Sequence, residues 1–192
     1  MSWLAHAAVA ALAAAGCGSA AAAPTPTPTR TVTPVARTAT ATPLCPGAPN
    51  QASTKATITL EKGGTIVIQL RPDKAPKTVS IFALKAKSGF YNGLTFHRVV
   101  ANFVAQGGDP LGTGSGGGQQ CTELSDLPFL KGAVGVARGT DINISNDSQF
   151  FICTGACRHL DNLYTNFGTV TSGQDVADKI AIGDKIKTIT VE

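Results

Sequence analysis

The chain has 192 residues, a formal net charge of +4 and only 15% charged residues. An excess that small, without basic runs or interleaved aromatics, leaves no electrostatic footprint for nucleic acid. No apolar stretch reaches the roughly eighteen uninterrupted residues that a spanning helix needs.

The first segment, 1–17, reads as an export signal. Leu4 to Ala15 is an apolar run of about the length of a signal-peptide core. It ends in Ala14-Ala15-Gly16-Cys17. Small residues before a cysteine resemble the lipobox of bacterial lipoproteins, in which that cysteine is lipidated after cleavage. The pattern departs from the usual one: only His6 stands before the run where Lys or Arg is common, and Ala14 stands where Leu is usual. Two readings therefore remain open, a lipoprotein anchored to the membrane through lipid on Cys17 and an ordinary secretory signal. Both place the protein outside the cytoplasm, as a cell membrane-anchored lipoprotein or a secreted protein.

Residues 18–54 form an Ala/Thr/Pro-rich linker. Pro24-Thr25-Pro26-Thr27-Pro28-Thr29 opens a tract that runs to about Thr42. Alternating prolines fix φ and remove donors, so the tract favours extended polyproline II. It lacks the apolar side chains to fold and serves as a semi-rigid spacer.

The folded domain spans 55–192. Thr57-Ile58-Thr59-Leu60 and Thr65-Ile66-Val67-Ile68-Gln69-Leu70 are β-branched runs around Glu61-Lys62-Gly63-Gly64, which predicts a hairpin. Pro76 suits a first helical turn. Val79, Phe82, Ala83 and Ala86 follow at helical spacing, with Gly89 as the stop. Short strands are predicted at Thr95 to Val99, Phe103 to Gln106, Ala133 to Ala137, Phe150 to Cys153 and Phe167 to Val170. Gln174 to Ile180 predicts a second helix. Ile186 to Val191 predicts a last strand with Ile186, Thr188 and Thr190 on one face. About eight short strands with two helices predict a mainly β fold, a closed eight-stranded antiparallel barrel capped by two α-helices.

Three segments stand out within it: Phe96-His97-Arg98-Val99-Val100, Gln106-Gly107-Gly108-Asp109-Pro110 and Ser148-Gln149-Phe150-Phe151-Ile152. Around them lie Gly112-Thr113-Gly114-Ser115-Gly116-Gly117-Gly118, Gly132-Ala133-Val134-Gly135-Val136-Ala137-Arg138 and Asn166-Phe167-Gly168-Thr169-Val170. The Gly-rich run lacks the Gly-Lys-Ser/Thr ending and the strand–loop–helix setting of a phosphate loop. Taken together, in this order and spacing from about Thr57 to Glu192, these blocks resemble the cyclophilin family of peptidyl-prolyl cis-trans isomerases.

The resemblance implies an activity whose physical demands are simple. Rotation about a peptide bond is resisted by about 18–20 kcal/mol because the nitrogen lone pair is delocalised. At the top of the barrier the amide is twisted and the lone pair returns to nitrogen. Catalysis needs an apolar grip on the proline ring and a donor that binds the twisted amide better than the planar one. It needs no nucleophile, base, metal or cofactor. Arg98, whose guanidinium stays charged and offers a fixed fork of donors, is by resemblance the catalytic arginine, with Gln106 beside it. Phe103, Val104, Phe151 and Leu160 would line the proline pocket, with Gln149 on the same strand face as Phe151. Ala137 and Arg138 would contact the peptide backbone, Arg138 standing where Asn is common. Tyr164 stands where many members have His, and His159 where many eukaryotic members carry a Trp that hydrogen-bonds the inhibitor cyclosporin. The partners implied are proline-containing polypeptides, met by a monomer that assists the folding of exported proteins.

Without the joint pattern these residues would read as surface or core positions. His97 keeps that reading, as a structural residue, because the mechanism has no proton to move. Cys45, Cys121, Cys153 and Cys157 permit disulfides in an exported domain. Cys153 and Cys157 are one residue further apart than a Cys-x-x-Cys motif, and no zinc-ligand spacing accompanies them. Two rivals follow, a non-catalytic cyclophilin-like binding or chaperone module and, more remotely, a redox protein using Cys153 and Cys157.

Overall fold

The computed structural model describes residues 53–192. The readings of segment 1–17, of the linker up to residue 52, and of Cys17 and Cys45 lie outside the described residues.

The chain opens with the predicted hairpin, β1 (Lys55–Leu60) and β2 (Thr65–Leu70). Its turn ends on Gly63 and Gly64, both at positive φ. Helix α1 (Pro76–Lys87) follows, with proline in its first turn and Thr78, Val79, Phe82, Ala83 and Ala86 buried. It has no acidic residue in its first turn and no side-chain cap from its own N-cap. Glu123 does that work from across the fold: its carboxylate accepts the backbone N–H of Lys77 at 3.0 Å and of Thr78 at 2.7 Å, two of the donors a helix start leaves unpaired.

Strands β3 (Phe96–Val100), β4 (Val104–Gly107), β5 (Gln119–Cys121), β6 (Ala133–Arg138), β7 (Ile144–Cys153), β8 (Asn166–Ser172) and β9 (Ile186–Val191) complete the sheet. All pairings are antiparallel, and eight strands follow one path, β3-β4-β7-β6-β8-β2-β1-β9. The two ends of the path meet at a single bridge, Thr95 to Lys185. The short β5, not among the predicted strands, pairs with β7 off this path. Between β7 and β8 lies a 3-10 turn, Arg158–Leu160.

Two expectations are corrected. The second helix, α2, covers only Gln174–Ala177; turns carry the chain on to Ile180, which is buried. In β9 the predicted alternation fails: Ile186 and Ile189 are both buried. The cause is an irregularity opposite Leu60, where Thr59 pairs Thr188 but Leu60 pairs Ile186, and an extra residue reverses the side of everything beyond it.

The main core fills the barrel: Ile58, Ile66, Ile68, Phe96, Phe150, Ile152 and Phe167, with Phe82 of α1, belong to one buried cluster. A second apolar cluster, Val104, Phe129, Phe151, Cys153, Cys157 and Leu160, is separate from it. Neighbours along β7 thus go to different clusters, Phe150 and Ile152 to one, Phe151 and Cys153 to the other, as the alternation of a strand requires. The second cluster forms the floor of the site.

Candidate functional site

Four strands bring the site together in one row. Arg98 of β3 is opposite Gln106 of β4, Gln106 is opposite Phe151 of β7, and Phe151 is opposite Gly135 of β6. Two irregularities set this row. In β3, Phe96 pairs Gly107 while Arg98 pairs Gln106, so His97 is the extra residue of a bulge. Without it Phe96 and Arg98 would share a face. With it, Phe96 is fully buried in the barrel core and Arg98 is exposed. His97 is therefore structural: its ring nitrogens are buried without a hydrogen-bond partner, and burial pushes its pKa down. In the β6–β7 pair, Val136 is opposite Phe150 but Arg138 is opposite Ser145, so Asn146 to Gln149 bow out of the ladder.

The row carries a relay of polar side chains. Arg98 donates to Gln106 Oε1 at 3.3 Å. Gln106 Nε2 donates to Gln149 Oε1 at 3.0 Å. Gln149 Nε2 donates in turn to the carbonyls of Gly114 at 3.1 Å and Gly116 at 2.8 Å. The guanidinium of Arg98 also stands 5.9 Å from the ring centre of Phe103.

Beside the relay lies a pocket of about 230 Å³, lined by Arg98, Phe103, Val104, Gln106, Ala137, Arg138, Phe151, Leu160 and Tyr164. Its base is stacked aromatic: Phe151 packs on Phe129 at 5.7 Å and edge-on against Tyr164 at 6.0 Å. Gly135 makes this possible, because a Cβ there would collide with the rings of Phe151 and Phe129. His159 packs on Phe103 at 5.0 Å and is itself exposed, at the rim. Arg138 spans the wall opposite. It donates to the carbonyls of Leu163 at 2.8 Å and Gly139 at 2.9 Å, and its guanidinium covers Tyr164 at 4.5 Å. Arginine in place of a shorter amide thus ties two loops together.

A wider groove of about 360 Å³ adjoins the pocket, sharing Gln106, Ala137, Arg138 with it and adding Gln149, Thr140, Asp141 and Asn146. The sequence reading missed this groove, and it missed Phe129 and Asn146. Asn146 Oδ1 accepts the backbone N–H groups of Ser148 and Gln149. Its signal was available, since an Asn-Asp-Ser run interrupting a strand marks local side-chain to backbone bonding. Phe129 had none, being a lone aromatic in a loop. Cys153 and Cys157 are free and fully buried behind the pocket, and burial pushes both thiols up. That is the opposite of what a redox nucleophile needs, so the redox rival finds no support here. Among the described residues no group of His, Cys, Asp and Glu could hold a metal ion.

The arrangement sets an arginine beside an apolar pocket. It can hold an apolar ring and present a charged donor beside it. Residues 55–191 match the family model for cyclophilin type peptidyl-prolyl cis-trans isomerase. The chain is 44% identical over 138 residues to peptidyl-prolyl cis-trans isomerase B of Bacillus subtilis, an alignment covering 69% of this chain and 94% of that protein. It is 45% identical over 142 residues to a peptidyl-prolyl cis-trans isomerase of Helicobacter pylori strain J99, covering 70% and 85%. The crystal structure of a cyclophilin type peptidyl-prolyl cis-trans isomerase from Cryptosporidium parvum superposes with a TM-score of 0.67 at 26% identity, covering 73% of this chain and 98% of that one. The chain belongs to the cyclophilin-type peptidyl-prolyl cis-trans isomerase family.

Proposed function

We propose that this protein catalyses cis–trans isomerisation of peptide bonds preceding proline in exported polypeptides, and that Arg98 is the residue that lowers the barrier. The observation that carries this is the arginine held by Gln106 at the mouth of an apolar pocket. The proline ring enters between Phe103, Val104, Phe151 and Leu160. The flanking chain crosses Ala137 and Arg138 toward the wider groove. As the amide twists, its nitrogen regains a lone pair and becomes an acceptor, which the Arg98 guanidinium then meets. The interaction grows only as the barrier is climbed, so it lowers the barrier and not merely the dissociation constant. A differential of about 7 kcal/mol corresponds to roughly 10⁵-fold.

The export half of the proposal rests on the signal-like 1–17 segment. Anchoring through lipid on Cys17, and action as a monomer, complete the reading. The test is isomerisation of a short proline peptide by wild type and by Arg98→Ala. Loss of about ten- to a thousandfold in kcat/KM, equivalent to about 1.4–4 kcal/mol, is expected in a protein that stays folded. A folded Arg98→Ala protein with undiminished activity would sink the assignment.

A further inference from the structure

Asp109 is a buried carboxylate that this mechanism does not use. It is 1% exposed, and a carboxylate out of water is costly unless its charge is met. Backbone N–H groups meet it. Leu111 donates to Oδ1 at 2.9 Å, and Thr113 donates to Oδ2 at 2.9 Å together with Gly114. Burial alone would raise the carboxyl's pKa, but these backbone N–H groups hold it below the usual value. The loop is wound so tightly over the carboxylate that a Cβ on Gly116 would collide with Oδ1.

The same loop supplies the carbonyls of Gly114 and Gly116 that accept Gln149 Nε2. Asn146 donates to the Gly116 carbonyl at 3.0 Å from the other side. An unbroken series of hydrogen bonds therefore runs from Asp109 through the 111–116 loop to Gln149, then Gln106, then Arg98. With the two carbonyls fixed, Gln149 must turn its NH₂ toward the loop and its oxygen toward Gln106. Gln106 must then turn its own NH₂ to Gln149 and its oxygen to Arg98. The amide orientations of both glutamines thus agree from the loop carbonyls at one end to Arg98, which can only donate, at the other.

We infer that Asp109 is a positioning residue for the isomerase reaction: its charge fixes the 111–116 loop, and the loop sets through Gln149 and Gln106 the direction in which Arg98 donates. This rests on the isomerase reading above. Asp109→Asn keeps the size of the side chain but turns an acceptor edge into a donor facing N–H groups, so the loop loosens.

The test is a double-mutant cycle on the full chain with a short Ala-Pro peptide, reading kcat and KM separately. Wild type and Arg98→Ala run alongside: an inactive wild type or a fully active Arg98→Ala protein would count against the isomerase reading itself, not against Asp109. Asp109→Asn is expected to lower kcat by about tenfold or more with KM changed less than about threefold. In the Gln149→Ala background the same change is expected to cost less than about twofold, because the relay is already cut. A folded Asp109→Asn protein with normal kcat, or effects of Asp109→Asn and Gln149→Ala that simply multiply, would overturn the inference. If Asp109→Asn does not fold, Gly114→Ala takes its place in the cycle. Gly114 is exposed with φ at 90°, so a methyl there strains the same loop without touching the carboxylate, and the same two outcomes decide.

Discussion

Arg98 owes its place to an insertion of one residue. Because His97 is bulged, the strand can send Phe96 inward and Arg98 outward within three positions. The guanidinium is then fixed by Gln106 and backed by Phe103. Arg98→Lys should therefore rescue little of the activity lost in Arg98→Ala, since an ammonium lacks the planar fork; recovery to near wild-type kcat/KM would show that charge alone suffices. At the rim, His159 covers less apolar area than a tryptophan, and lost area costs about 25 cal/mol per Å². Cyclosporin is expected to bind about ten- to a hundredfold more weakly than to the His159→Trp variant, with turnover of proline peptides little changed. Calorimetric titration of both proteins checks this, and equal affinities would remove His159 from the inhibitor's footprint. At this scale the meeting of Arg98, Gln106, Phe103 and Phe151 in one pocket was readable, because side-chain type and motif spacing coincide there. The sequence was unreadable where the role comes from backbone geometry. Asp109 was visible inside a motif, but nothing in its neighbours' identities says that three N–H groups converge on it.

Elements were legible in kind more than in extent. The hairpin at Glu61 to Gly64 and helix α1 follow from periodicity and punctuation, and both are where the pattern puts them. What the pattern cannot show is tertiary interruption. The bulge opposite Leu60 moves Ile189 inward, and the bow from Asn146 to Gln149 extends β7 well before its apolar stretch. The start of α1 is another such case, since its cap comes from Glu123, 45 residues beyond Thr78. Glu123→Ala should expose this dependence. It leaves two helix N–H groups unpaired in a buried setting, at a cost of about 1–3 kcal/mol. Thermal unfolding should fall by several degrees, and an unchanged midpoint would mean that water replaces the carboxylate without loss.

For the whole molecule, acid is the condition that tests the fold most directly. Two classes of group are involved. His97 is held neutral by burial, with its folded pKa below the usual 6.5. Protonation therefore favours the unfolded chain, and this contribution is lost as pH falls through about 6.5. Asp109, Asp161, Asp178 and Asp184 have folded pKa values below 3.8. Their contribution is intact above the unfolded value and disappears as pH drops through the folded one. Stability should be level between about pH 7 and 8, decline gently below 6.5, and fall steeply under 4; above about 8.5 it should decline again, because burial raises the thiols of Cys153 and Cys157 and the unfolded chain ionises first. Urea titrations across that range read the profile, and His97→Gln should flatten the first decline alone. Anchoring is tested at the same scale. Mature protein beginning at a diacylated Cys17, and release from the membrane fraction by Cys17→Ser, are expected, because stable attachment takes more than one acyl chain. Mature protein starting between Ala20 and Pro24 without lipid would indicate free secretion.

The two thiols behind the pocket give the protein a built-in timer. Cys153 and Cys157 have no exposed surface, and Cys157 donates its S–H to the Phe103 carbonyl at 3.3 Å. An alkylating reagent can reach them only when the packing around them opens, and that packing includes Phe151 and Leu160 of the pocket floor. The rate at which the peptide carrying both cysteines gains mass therefore measures how often the floor opens, in the way amide exchange measures local unfolding. A proline peptide seated above should slow that clock, whether or not it is ever turned over.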